Sequence, residues 1–135
     1  MKIQDPGLSE HGWMADAVHQ GLAELHAAEL ATLPIEGADG SVERLMIATD
    51  LGLVEGTLAE PAIDGFPGLI LDLRLWRDVS VSARARIDTQ HGAHAARALL
   101  TVGDQTISSY SLRTRDAARD FIREVLVRAS QAGRA

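Results

Sequence analysis

The 135-residue chain contains no cysteine, which excludes disulfides, thiolate catalysis and cysteine-based zinc sites together. It also lacks any apolar run approaching the roughly 18 residues of a membrane-spanning helix. Its first residues, Met1-Lys2-Ile3-Gln4-Asp5-Pro6, do not form the apolar segment of a secretory leader. The expected setting is the cytoplasm, without integral membrane insertion. Equally absent are a Gly-x-Ser-x-Gly elbow, a glycine-rich phosphate loop and a His-Glu-x-x-His helix. No catalytic residue is therefore assigned, and an enzyme is not the expected reading. What is present is a large apolar share, 46% of residues, enough to exclude disorder over most of the length. A chain of this length fits one domain, residues 1–135, with a core that needs no covalent staple.

Basic residues are scarce in one half only. Residues 1–64 set Lys2 and Arg44 against twelve acids, a balance of −10, whereas residues 65–135 set eleven arginines against seven acids, a balance of +4. The acidic half argues against nucleic-acid binding by the chain as a whole. The arginine-rich half leaves room for a local anion-binding surface.

Along the chain, Asp5-Pro6 and Ser9 offer helix starts. Met14, Ala17, Val18, Leu22, Leu25 and Ala28 then recur at three- and four-residue steps, predicting an amphipathic helix over residues 9–33 that stops before Pro34. Gly12 and Gly21 each weaken it by about 1 kcal/mol relative to alanine, so packing must hold it in place. Val42 to Thr49 and Leu53 to Leu58 read as strands joined at Asp50-Leu51-Gly52, and the proline- and glycine-bearing segment 60–68 reads as a loop. Leu69, Leu71, Leu73 and Leu75 share one strand face. Val79, Val81, Ala83, Ala85 and Ile87 share another, and matching the two faces requires paired numbers with an even sum; a sum of 156 sets Leu75 beside Val81 and Asp72 beside Arg84, with sums of 154 and 158 also open.

Residues 95–102 have helical propensity but abut the two-residue turn Gly103-Asp104. They are read as a strand pairing with residues 105–111, with Val102 opposite Gln105 and Leu100 opposite Ile107. The chain closes on a helix whose stripe is Ala118, Phe121, Ile122, Val125 and Ala129, with Thr114 as its cap and Asp116 near its positive end. The expected fold is α+β: an N-terminal helix, a bent antiparallel sheet or partly open barrel of six to seven strands, and a C-terminal capping helix.

The segments Leu45-Met46-Ile47-Ala48-Thr49-Asp50-Leu51-Gly52-Leu53, Ala98-Leu99-Leu100-Thr101-Val102-Gly103-Asp104 and Arg115-Asp116-Ala117-Ala118-Arg119-Asp120-Phe121 carry a resemblance of pattern. Over residues 42–130 the chain resembles the small bacterial pleckstrin-homology-like (PH-like) domains. The resemblance implies a non-enzymatic scaffold or a module that binds a ligand or partner, with no cofactor. Residues 9–33 would be an addition to that fold. The Asp50-Leu51-Gly52 turn lacks the basic residues with which lipid-binding members hold phosphoinositides, so that function does not transfer. A second resemblance is to the acidic, dimeric secretion-chaperone-like α+β proteins, which need a further helix between strands; residues 93–100 are the candidate. A monomer and a homodimer are both compatible with these readings.

Two groups of side chains invite a functional reading. His91 and His94 lie close enough in sequence to share an ion, whereas His11, His19 and His26 are spaced by more than about 10 Å along a helix. Lacking a third ligand, the pair predicts no metal site. Arg74, Trp76, Arg77, Arg84 and Arg86 fall on one presumed polar sheet surface or its rim. Such a set could form a guanidinium-and-aromatic platform for a protein partner or an acidic ligand, or be a solvated face with Trp76 covered by the N-terminal helix.

Overall fold

The computed structural model describes residues 12–36, 42–63, 66–90, 92–103, 105–108 and 115–132. Helix α1 (Gly12–Glu24) leads into strands β1 (Glu29–Glu36), β2 (Val42–Thr49), β3 (Gly52–Ile63) and β4 (Phe66–Leu75). A 3-10 turn (Trp76–Asp78) precedes β5 (Val81–Gln90), β6 (Ala93–Val102) and β7 (Gln105–Ser108), and helix α2 (Arg115–Ala132) follows. The seven strands are antiparallel and form two sheets, β1-β2-β3-β4 and β5-β6-β7, flanked by the two helices. The α+β expectation with its two helices holds. The strands divide between two sheets rather than closing into one barrel.

Strand β2 explains the layering. Its alternate residues are buried on both faces, because the first sheet lies between two cores. On one face Leu45 and Ile47 join Val54 of β3 and Met14, Val18 and Leu22 of α1, with Leu69, Leu71 and Leu73 of β4 packed alongside. On the other face Met46 and Ala48 join Leu33 of β1, Leu53 of β3, Leu100 and Val102 of β6, Ile107 of β7 and Ala118, Phe121, Ile122 and Val125 of α2. The stripe expected for α2 is thus the stripe that is buried. Its last member, Ala129, packs at the margin.

Helix α1 covers its own sheet, and Gly21 permits the approach. A Cβ at Gly21 would lie 2.4 Å from Leu71 Cδ1, well inside contact distance. Gly56 faces the same leucine, with its missing Cβ 3.0 Å from Leu71 Cδ2. The propensity lost at Gly21 is therefore offset by packing. The helix is shorter than the 9–33 predicted, ending at Glu24, and residues 29–36 are a strand. The stop lies at His26, in the left-handed region at φ 56°. Its N–H donates to the Ala23 carbonyl and that of Ala27 to the Leu22 carbonyl, the bonding pattern of a Schellman termination. A left-handed L-residue costs about 1–2 kcal/mol, and glycine escapes that cost. His26→Gly is accordingly expected to raise stability by about 1 kcal/mol, read as a higher urea midpoint at unchanged slope; a lower midpoint would refute the strain.

Two further expectations are corrected. The 60–68 loop is instead the far end of the β3–β4 hairpin, with Gly68 opposite Ala59 and Phe66 opposite Ile63. Pro61 falls where this ladder shifts register, a place where no regular amide donor is required. Strands β4 and β5 do not pair: β4 pairs β3, with Leu53 opposite Arg74 and Glu55 opposite Asp72, and β5 pairs β6. The leucine face of β4 serves the α1 core while Val79 and Val81 serve the α2 core, so the two apolar faces belong to different layers. The β6–β7 hairpin has the expected register, Val102 opposite Gln105 and Leu100 opposite Ile107. Residues 93–102 are strand, which removes the helix that the chaperone-like reading would have used. Thr114 and residues 109–111 lie outside the described residues.

Candidate functional site

The connection between β2 and β3 fixes where the second sheet begins. Thr49 is wholly buried, and its hydroxyl accepts from the N–H groups of Gly52 (3.1 Å) and Leu51 (3.3 Å) while donating to the Gly52 carbonyl (2.7 Å). Asp50 Oδ1 accepts from Ala28 N–H at 2.7 Å, and Asp50 N–H donates to the Ala28 carbonyl at 3.1 Å. Gly52 must be glycine, because a Cβ there would sit 2.1 Å from the Arg74 carbonyl oxygen. Into this knot Trp76 sends its indole N–H, which donates to the Thr49 carbonyl at 2.9 Å.

Trp76 is therefore not part of a surface platform. It is 6% exposed and belongs to the core beneath α2, away from the face covered by α1. Its 3-10 turn ends β4 and redirects the chain into β5, which is why the adjacent strands enter different sheets.

The four arginines separate as well. Arg74 is exposed on β4, and a Cβ on Gly103 would lie 3.7 Å from its Nη1, so its guanidinium reaches the β6–β7 turn. Arg77 is exposed on the 3-10 turn. Arg84 and Arg86 remain together, exposed on one face of β5. The second sheet adds a residue that sequence reasoning did not single out: Arg97 of β6 lies directly opposite Arg86. Its signal was the β5–β6 register: residues 95–102 read as a strand, but with β5 expected beside β4 rather than β6, Arg97 was not set against Arg86.

Two like charges directly opposed on neighbouring strands repel. Asp88 moderates the pair, its Oδ1 3.1 Å from Arg86 Nε and its Oδ2 3.8 Å from Arg97 Nη2. All three side chains are at least partly exposed, so these contacts contribute little to stability. Along β5 and β6 the described residues offer one carboxylate, Asp88, to three guanidinium groups, Arg84, Arg86 and Arg97. The result is a local positive surface on a chain of net charge −6.

The opposite face of β5 departs from expectation. Its alternating apolar positions would be core residues in a two-layer sheet, yet only Val81 is half-buried, whereas Ala83, Ala85 and Ile87 are exposed. Ile87 is 63% exposed, more than any other exposed large hydrophobic residue whose burial is described. The core under α2 stops at the proximal end of the hairpin, and its distal half projects beyond.

For ion binding, no group of three or more His, Asp or Glu side chains converges among the described residues. His19 and His26 are exposed, and His91 lies outside the described residues. No helix among the described residues is long and apolar enough to cross a membrane. Fold and site together define an α+β protein of two antiparallel sheets with a cationic hairpin. Comparison with protein-family models, with curated proteins and with solved structures finds no match to the chain.

Proposed function

We propose that the chain is a PH-like, non-enzymatic module that binds an anionic partner through the basic face of its second sheet. Seven antiparallel strands followed by one C-terminal amphipathic helix support the PH-like reading, with α1 as an added layer over the first sheet. The observation that carries the binding role is the three-to-one excess of guanidinium over carboxylate along β5 and β6, with Arg86 opposed to Arg97. Guanidinium groups on adjacent strands suit carboxylate or phosphate oxygens, which they hold by paired, charge-assisted hydrogen bonds. An extended acidic segment of a protein partner fits such a surface. The Asp50-Leu51-Gly52 turn offers no basic side chain, so phosphoinositide binding of the lipid-recognising kind is not proposed. The working location is the cytoplasm.

A fluorescent poly-glutamate peptide tests this reading by anisotropy. Binding is expected at low ionic strength and should weaken as salt rises, because exposed charges are screened within about 10 Å at 0.1 M. Arg84→Glu/Arg86→Glu should abolish it with the melting midpoint unchanged, while vesicles containing phosphoinositide should fail to co-sediment the protein at physiological salt. Binding that survives the double substitution would remove the basic face from the function.

A further inference from the structure

The two sheets present four edge strands, and three of them are blunted. Strand β1 carries Pro34 and two register shifts against β2. Strand β4 carries Pro67 and Gly68, lies beside the β3 register shift and is packed by α1. Strand β7 spans four described residues, Gln105–Ser108. Strand β5 lacks proline, glycine and register shifts, and α2 packs only its first end, at Val81. It runs ten residues, and its ladder to β6 is unbroken from Val81 opposite Val102 to Gln90 opposite Ala93. Among the described residues no strand pairs with its other edge. A long, regular edge strand with exposed apolar side chains is a template for another strand.

From this geometry we infer that β5 pairs with β5 of a second copy, antiparallel and about a two-fold axis at Ile87. A two-fold axis normal to the sheet keeps like faces together, so the numbers of paired residues must have an even sum. Among the registers that pair at least seven residues of β5, those centred on Arg84, Ala85, Arg86 or Ile87, charge then selects. Centring on Ala85 sets Arg84 against Arg86 twice, and centring on Arg84 or on Arg86 sets an arginine against itself. Centring on Ile87 opposes Arg86 and Asp88 twice, sets Arg84 against Gln90, and brings the two exposed Ile87 side chains together on the axis. This register has no like-charge pair, and it covers the Ile87 side chain, which is 63% exposed in the single copy. Opposite charges placed directly across an antiparallel pair stabilise it, as like charges destabilise it. The two three-stranded sheets thereby become one six-stranded sheet, and the basic faces of the two copies become one continuous surface.

Light scattering of the full chain over a concentration series, together with three sets of variants, tests the inference. The wild-type chain is expected to be a dimer at the higher concentrations and Ile87→Lys a monomer throughout; the two should share a melting midpoint at concentrations where both are monomeric, since the side chain is exposed in the single copy. Arg86→Asp and Asp88→Arg should each weaken the dimer, and the double exchange Arg86→Asp/Asp88→Arg should restore it. Because the chain has no cysteine, Ile87→Cys introduces a lone thiol that should form an intermolecular disulfide on mild oxidation, whereas Ala85→Cys, set against Thr89 of the other copy, should not. A wild-type chain that stays monomeric overturns the inference. So does a dimer that persists in Ile87→Lys, or one that the charge exchange fails to restore.

Discussion

Phe121→Ala is expected to cost about 3–5 kcal/mol of stability, the range for removing a large buried aromatic side chain. The ring is fully buried near the middle of the inner face of α2. Its cluster takes Leu33 and Met46 from the first sheet and Leu100 and Ile107 from the second, so this core spans both sheets as well as the helix. Surroundings drawn from three independent elements cannot collapse readily onto an alanine, and the cavity adds to the lost transfer energy. Urea denaturation read at constant slope measures the change. A loss below about 1 kcal/mol would mean that the ring lies outside a packed core.

Trp76 carries the second large effect. Trp76→Ala is expected to cost about 3–5 kcal/mol by the same cavity mechanism. Trp76→Phe retains much of the apolar volume but strips the Thr49 carbonyl of its indole donor, a loss of about 1–3 kcal/mol for a buried group left unpaired. The gap between the two variants separates volume from hydrogen bonding. Neither role involves a ligand, so Trp76→Phe should bind the acidic peptide as wild type does once folded. Weakened binding at an unchanged fold would return the indole to the binding surface.

How much of this was legible in the sequence depended on which local signal dominated. The β6–β7 register was readable because a two-residue turn fixes pairing by itself: once Gly103-Asp104 is the turn, Leu100 must face Ile107. The inner face of α2 was readable because Ala118, Phe121, Ile122 and Val125 repeat at helical spacing with no competing stripe. Strand β1 was not. Its apolar residues follow those of α1 without a glycine between them, and the helix stops at a left-handed histidine, which sequence preference seldom marks. Pro34, read as the end of a helix, lies within an edge strand, where a missing amide donor is tolerated.

The β4–β5 pairing failed for a different reason. Alternation assigns a face to each residue of a strand, but it does not say which layer that face meets. Leu71 and Val81 are equally apolar, yet one faces α1 and the other packs in the α2 core. The same limit applied to the site. Exposure of Arg84 and Arg86 followed from alternation, and their separation from Arg74 and Trp76 did not, because it depends on a turn whose direction is set by one buried indole.

The division of the apolar residues between two faces of β2 also has a consequence in time. Every residue of the α1 core lies between Met14 and Leu73, whereas the other core joins Leu33 to Val125. During synthesis the chain emerges N-terminus first and assembles as its parts become available. Helix α1 and strands β1 to β4 can settle against one another while the ribosome is still making the second sheet. Throughout that interval Leu45 and Ile47 have their cover, and Met46 and Ala48, on the other side of the same strand, wait for residues 115–132 to emerge.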